Sequence, residues 1–163
     1  MPTLLPIAGL PGTGKTTFAR ALARRLGAAH LNTDTLRTGM GLRGRYDEAT
    51  KALVYEALEQ RTSQLLAEGR TVVVDGTFYL QRLRESYRAI AAERGCPIHW
   101  LVVAAPEEVV RQRLQRKRAY SEADFQVYQK IKAQWEPLGA DAITIATAPV
   151  ERMVDTAIHK LPL

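Results

Sequence analysis

Short apolar runs alternate with amphipathic stretches along the chain. Five of these runs predict buried β-strands, at residues 4–10, 29–33, 71–75, 98–104 and 142–146. Between them, apolar residues recur every three or four positions, which indicates helices with one buried face. Examples are a helix over residues 48–68 and one whose buried face is Leu80, Leu83, Tyr87, Ile90 and Ala91. Strands that alternate with helices favour an α/β fold, in which helices cover both faces of a parallel sheet.

The first apolar run contains Pro6, which is unusual for a strand inside a sheet. A central strand pairs on both sides through its backbone N–H groups, and proline has no N–H to donate. We therefore expect a local distortion of the sheet at this position, without a change of fold.

The segment after the first run, residues 9–16, reads Gly-Leu-Pro-Gly-Thr-Gly-Lys-Thr and matches the phosphate-binding pattern G-x-x-x-x-G-K-S/T. The glycines let backbone N–H groups turn toward phosphate oxygens, and the helix that follows adds its positive end. The lysine places a positive charge on the β- and γ-phosphates, and the last threonine offers its hydroxyl to Mg²⁺. The predicted ATP-binding residues of this segment are Gly9, Gly12, Thr13, Gly14, Lys15, Thr16 and Thr17.

A second element of the nucleotide site is the run Val72-Val73-Val74 followed by Asp75. An acid at the end of such a strand, beside a phosphate loop, helps to hold Mg²⁺ directly or through water. The alternative is an aspartate that only caps a turn. We predict a Mg²⁺ site at Thr16 and Asp75, and hence a three-layer P-loop NTPase fold with a five-stranded parallel sheet.

Asp34 and Arg37 are the candidates for chemistry on the acceptor. Ligands of parallel sheets bind at the carboxyl ends of the strands, and Asp34 ends the second predicted strand. With a helix from about Thr35, both side chains face one cleft. The carboxylate is then suited to take a proton from an attacking hydroxyl, and the arginine to hold a phosphate. The alternative is that Asp34 caps the next helix.

Five cations occur within residues 111–118 and predict a short arginine-bearing lid. They are Arg111, Arg113, Arg116, Lys117 and Arg118. Phosphoryl transfer needs cations that neutralise the migrating group, although such a run is also typical of a solvated helix face. We favour Arg116, and then Arg113, as residues that reach the ATP phosphates. The predicted catalytic residues are Lys15, Asp34, Arg37 and Arg116.

Four other features of the sequence bear on the site and on packing. Glycines and arginines in residues 38–45 predict either a mobile substrate loop or an exposed connector. The spacing of Phe125, Tyr128, Ile131 and Trp135 favours helix packing over stacking on a base. Residues 147–149 are a candidate wall of the adenine pocket. His30, His99 and His159 form no ligand pattern, and we assign them no role.

The composition agrees with one domain over residues 1–163, since this length is enough to bury a core. The single cysteine, Cys96, excludes an internal disulfide and a multi-cysteine zinc site. No apolar run approaches the ~20 residues that cross a bilayer, so we expect a cytoplasmic protein without a membrane partner. The formal net charge of +6 agrees with an anionic partner but does not name it. The oligomeric state stays open.

With these residues in place, the chain resembles the small P-loop kinases grouped with polynucleotide 5′-kinases, zeta toxins and related phosphotransferases. The resemblance runs over residues 3–160 and includes the phosphate loop, residues 31–37, residues 72–78 and residues 113–116. Phage-type polynucleotide kinases have an Asp-x-x-Arg element, which implies a general base at Asp34 and a phosphate-binding arginine at Arg37. Their lid arginine implies the same role for Arg116, with Lys117 as the next choice.

The sequence therefore predicts an ATP-dependent kinase with Mg²⁺ that transfers the γ-phosphoryl group to an acceptor hydroxyl. The resemblance and the positive charge favour a polynucleotide 5′-hydroxyl as acceptor. The alternatives are a small molecule (a sugar, nucleoside, nucleotide-sugar or antibiotic) and a non-catalytic nucleotide-binding module. A GTPase is disfavoured because no Asn-Lys-x-Asp element is present.

Overall fold

The five predicted apolar runs form the strands of one parallel sheet. The computed structural model describes residues 1–116 and 122–163, and its strands are β1 (Leu4–Ala8), β2 (Ala29–Asn32), β3 (Val72–Asp75), β4 (Leu101–Ala104) and β5 (Ile143–Ala146). Their order in the sheet is β2-β3-β1-β4-β5, and every pairing is parallel. All residues of β1 and β3 are buried, as continuous apolar runs predict for the interior of such a sheet.

Helices cover both faces of this sheet. In the described part of the chain they are α1 (Lys15–Leu26), α2 (Thr33–Gly39), α3 (Glu48–Ala67), α4 (Gln81–Arg94), α5 (Glu107–Gln115), α6 (Glu122–Gln134) and α7 (Val150–Lys160). One core, which includes Leu5 and Ile7 of β1, packs against α1 and α7. The opposite core, which includes Leu4 and Val74, packs against α3 and α4. The three-layer α/β architecture is therefore confirmed.

The distortion expected at Pro6 is confirmed and lies between β1 and β4. Leu4 donates its N–H to the Pro97 carbonyl at 3.0 Å and accepts from the His99 N–H at 3.0 Å. Since residues of a strand face alternate neighbours, Pro6 also faces β4 and has nothing to donate. The pairing is accordingly interrupted after the Leu4–Ile98 bridge and resumes at Ile7–Leu101. As a result β4 begins at Leu101, three residues later than predicted.

The loop after β3 has a fixed and strained shape. Phe78 has a φ of +47°, in the left-handed region that an aromatic residue rarely adopts. Its ring is buried edge-on against Tyr87 and Trp100, at centroid distances of 5.1 and 5.3 Å. A Cβ on Gly76 would lie 3.2 Å from this ring, so the small residue makes room for it. Strain of this kind is retained where the surroundings hold the backbone in place, and it concentrates at functional sites.

Arg84 of α4 holds that loop in place. Its side chain is 2% exposed, and its Nε donates to the Phe78 carbonyl at 2.7 Å. The other guanidinium nitrogens donate to the carbonyls of Glu136 and Pro137. One buried cation therefore ties the loop after β3 to the segment that follows α6.

Replacing Arg84 by methionine is expected to destabilise the fold by about 3 kcal/mol, because three carbonyls lose their donor while the apolar stem is kept. Urea denaturation of the purified protein measures this change. Arg82→Met is the matched control, since Arg82 lies exposed on the same helix. Equal stabilities of the two variants would contradict the role assigned to Arg84.

Candidate active site

The phosphate loop lies between β1 and α1 in a shape ready to receive an anion. Gly12 and Gly14 have φ values of +78° and +92°, which side chains rarely allow. A Cβ on Gly12 would also come within 2.9 Å of Val110 Cγ1. Thr13 is buried and donates its hydroxyl to the Leu10 carbonyl at 2.8 Å, which stiffens the loop. The first backbone N–H groups of α1 have no partner in the helix and complete an anion-binding cradle.

Lys15 carries its charge in a place where water solvates it poorly. Its Nζ donates to the Leu10 carbonyl at 3.4 Å. Burial lowers the pKa of Lys15, and the carboxylates of Asp75 and Asp34 oppose this by favouring the charged form. A phosphate group in the loop would add further counter-charge and favour the charged ammonium.

Thr16 and Asp75 meet where the sequence predicts the Mg²⁺ site. The Thr16 hydroxyl donates to Asp75 Oδ1 at 2.9 Å, and Asp75 is 3% exposed. A hydroxyl and one carboxylate beside a phosphate site form the hard oxygen set that Mg²⁺ takes from proteins, with the rest supplied by phosphates and water. No group of three or more histidine, cysteine, aspartate or glutamate side chains lies together anywhere in the described residues, so protein ligands alone would not complete a metal site here. The residues therefore fit Mg²⁺ at this position.

His30 also contacts Asp75, a contact that its position in the sequence does not predict. Its Nε2 lies 2.5 Å from Asp75 Oδ2, and Asn32 donates to the same oxygen at 3.5 Å. Both residues belong to β2, which pairs with β3 so that Asn32 stands opposite Asp75. His30 thereby orients the carboxylate and leaves its other oxygen to Thr16. Only knowledge that β2 and β3 are neighbours would have revealed this contact.

Asp34 lies within a helix and not at the end of a strand, which corrects the predicted boundary. Strand β2 ends at Asn32, and α2 begins at Thr33. The residue that caps α2 is Asn32, whose Oδ1 accepts from the Thr35 N–H at 2.8 Å, so the capping alternative for Asp34 is wrong. The Asp34 side chain is 83% exposed and accepts from Arg37 Nη1 at 3.2 Å. Its carboxylate is therefore open to an incoming substrate.

Arg37 lies beside Asp34, as predicted, and forms an ion pair with it. Its surroundings differ from those of an open phosphate site. The residue is 5% exposed, and its guanidinium carbon lies 4.5 Å from the centroid of the Tyr46 ring. Among the described residues nothing accepts from its Nε. A phosphate contact by Arg37 stays a prediction. Residues 40–45, part of the predicted substrate loop, follow α2 as an exposed connector.

A cavity of about 310 Å³ opens beside Lys15 at the carboxyl ends of β2 and β3. Its wall next to the sheet contains Asn32 and Asp75, the last residues of these strands. Helices α3 and α4 supply the opposite wall. The cavity is also lined by carboxylate, apolar and aromatic side chains, namely Asp34, Tyr55, Leu58, Glu59, Phe78, Leu83 and Tyr87. It is the place where an acceptor would lie next to the end of a bound triphosphate.

Of the candidate lid arginines, Arg113 contacts the phosphate loop. It donates to the Gly12 carbonyl at 3.4 Å and to the Thr147 hydroxyl at 2.8 Å. Thr147 is also in the segment predicted to border the adenine. Arg116, the first choice of the sequence analysis, is exposed at the end of α5, while Lys117 and Arg118 lie outside the described residues. A contact of Arg116 with phosphate stays a prediction.

Of the four residues whose spacing predicts helix packing, Phe125 and Tyr128 pack within α6 as predicted. Ile131 is half-buried, and Trp135 follows the end of α6 and packs against the core that includes Leu4 and Val74. Phe125 and Tyr128 are buried with Val110 and Leu114, and their rings stack with their centroids 5.4 Å apart.

Within the described residues, no helix is both long enough and apolar enough to cross a membrane.

Together, the sheet order, the phosphate loop and the Thr16–Asp75 pair define a P-loop nucleotide-binding protein. The AAA domain family matches residues 4–138, and the chain belongs to that family. An uncharacterized protein of Mycobacterium tuberculosis is 28% identical over 94% of this chain, which spans 33% of that relative. The chain thus covers about a third of the length of the first curated relatives. A shikimate kinase of Paracidovorax citrulli is 34% identical over 63% of this chain and 57% of its own.

Solved structures show that the fold is that of the P-loop kinases. A gluconokinase from Sinorhizobium meliloti has a TM-score of 0.72 at 18% identity, covering 97% of this chain and 90% of its own. The APS kinase CysC of Mycobacterium tuberculosis has a TM-score of 0.73 at 18% identity, covering 97% and 96%. A chain of the Pnkp1/Rnl/Hen1 RNA repair complex has a TM-score of 0.64 at 22% identity, covering 83% and 46%. Membership of the polynucleotide kinase subgroup stays a prediction.

Proposed function

We propose that the chain is an ATP-dependent kinase that phosphorylates a hydroxyl group of a small molecule bound in the 310 Å³ cavity. The observation that carries the proposal is the composition of this cavity's wall. Lys15 of the phosphate loop, the Thr16–Asp75 pair and the open carboxylate of Asp34 all line it. Residues suited to hold a phosphoryl donor and Mg²⁺, to take a proton and to border an acceptor thus share one edge of the sheet.

In the proposed reaction the loop amides and Lys15 hold the β- and γ-phosphates of ATP. The acceptor oxygen forms a bond to the γ-phosphorus while the bond from that phosphorus to the bridging oxygen of the β-phosphate breaks, and ADP leaves. Asp34 takes the proton of the attacking hydroxyl. Arg113, with Arg116 as a further candidate, adds positive charge above the loop. Mg²⁺ held by Thr16 and Asp75 would neutralise phosphate charge when bound.

The size and lining of the cavity favour a small acceptor over the polynucleotide 5′-hydroxyl that the sequence analysis preferred. A volume of about 310 Å³ lies at the lower end of small-molecule sites. Phe78, Leu83 and Tyr87 line it with apolar and aromatic surface. A nucleic acid strand needs a longer groove with cations along its backbone. The shikimate kinase and the gluconokinase, each named after a small molecule, agree with this choice.

The test is transfer of label from γ-labelled ATP with Mg²⁺ to a panel of sugars, amino sugars, nucleosides and 5′-hydroxyl oligonucleotides. We expect label on at least one small compound and none on the oligonucleotides. Label on oligonucleotides alone would replace the small molecule by a polynucleotide acceptor. Calorimetric binding of ATP without transfer to any compound would favour the non-catalytic module.

A further inference from the structure

We propose that the acceptor of this kinase is a neutral or cationic hydroxyl compound, such as an amino sugar or amino alcohol, and that Glu59 selects it. This inference rests on the proposed function and concerns the same cavity. It follows from the charges on the wall, from the position and hydrogen bonding of the Glu59 carboxylate within the described residues and from the aromatic surface beside it.

The charge of the cavity wall is opposite to that of the whole chain. The chain carries a formal net charge of +6, yet the lining residues include one cation, Lys15, and three carboxylates, Asp34, Glu59 and Asp75. Lys15 faces the nucleotide phosphates, and Asp75 is held by Thr16 and His30. Asp34 is paired with Arg37 at 3.2 Å, so the carboxylate that is left for an acceptor without a cation beside it in the described residues is Glu59. An acceptor with a carboxylate or phosphate of its own would be repelled by Glu59.

Glu59 is held in a defined position by a hydrogen bond to one of its two oxygens. It lies on α3, half-buried, and its Oε1 accepts from the Ser86 hydroxyl of α4 at 2.8 Å. Among the described residues no donor reaches its Oε2, and no cation lies within ion-pair distance. An oriented carboxylate with an unused oxygen is a site for an ammonium group or for a hydroxyl that donates.

Tyr87 completes this part of the wall. Its ring is buried in edge-on contact with Phe78. Burial raises the pKa of the Tyr87 hydroxyl, and the nearby Glu59 carboxylate and Tyr55 raise it further, so Tyr87 stays neutral at physiological pH. A neutral phenol beside a carboxylate offers both a donor and an aromatic surface, and a cation or a sugar ring packs well on such a surface.

The experiment compares matched acceptors of different charge with the purified chain, ATP and Mg²⁺. One set is glucosamine, which is cationic, glucose, which is neutral, and glucuronate, which is anionic. Nucleosides and short alcohols of the same three charge classes form the other sets. We expect the compounds with the highest kcat/KM to be cationic or neutral. An anionic compound as the best substrate would overturn the charge inference and leave the kinase intact. Label on no compound of any class would overturn both.

The role of Glu59 is tested by Glu59→Gln, with Glu56→Gln as control because Glu56 lies exposed on the same helix. Glu59→Gln is expected to lower kcat/KM for a cationic acceptor roughly tenfold or more, because a charge-assisted hydrogen bond is lost. Neutral acceptors should lose little, and KM for ATP should not change. A purely structural role would lower activity for all acceptors alike. An equal loss for cationic and neutral acceptors therefore overturns the assignment.

Discussion

Replacing Lys15 by methionine is expected to lower turnover roughly 10²- to 10³-fold and to weaken ATP binding. Methionine keeps most of the buried stem but removes the only cation that lines the cavity among the described residues. The negative charge on the β- and γ-phosphates then has no counter-charge from the loop. Steady-state kinetics and ATP calorimetry measure the two effects. Lys160→Met, at an exposed position on α7, is the control.

This loss should occur without a loss of stability. Burial lowers the pKa of Lys15, so between that pKa and the ordinary value of 10.5 the unfolded chain binds more protons than the folded one. Over that window the wild-type protein without ATP gains stability as pH rises, and the methionine variant lacks this gain. At neutral pH the variant should therefore unfold no earlier than the wild type in thermal denaturation. Unchanged turnover would contradict the role of Lys15, whereas a large drop in unfolding temperature would show a structural role.

The parts of the fold that the sequence predicts well are those determined locally. The strands are short apolar runs, and the phosphate loop needs glycines at fixed spacing. Each can therefore be predicted from a short stretch of sequence alone. The distortion at Pro6 is equally local, because one missing N–H causes it. The helix that contains Asp34 begins at Thr33, earlier than predicted, because Asn32 caps it. A few residues of sequence do not tell which of two polar side chains will cap a helix.

The parts of the site that the sequence does not predict depend on which segments become neighbours. His30 contacts Asp75 only because β2 lies beside β3 in the sheet. Glu59 and Ser86 belong to different helices that meet over the cavity, and in sequence each is an ordinary polar residue on a helix. Arg113 lies in the last turn of α5 and Arg116 directly after its end, and the packing of this helix on the loop brings Arg113 to Gly12. Periodicity carries no information on such contacts.

Replacing Asp34 by asparagine is expected to lower turnover by about 100-fold or more while ATP affinity stays nearly unchanged. Asparagine keeps the size of the side chain but cannot take the proton of the attacking hydroxyl. The carboxylate is 83% exposed, and asparagine keeps an oxygen that can accept from Arg37, so the variant should fold normally. Single-turnover kinetics with a small acceptor measure the chemical step, and ATP calorimetry measures binding.

Asp155→Asn is the matched control, because Asp155 is an exposed aspartate that also pairs with an arginine, at 3.0 Å from Arg25. It lies on α7, on the opposite face of the sheet from the cavity, and both of its measured values should equal those of the wild type. If Asp34→Asn instead weakens ATP binding and leaves the chemical step unchanged, Asp34 acts on the nucleotide and not on the acceptor. The proton of the acceptor would then have to leave with water or with the γ-phosphate itself.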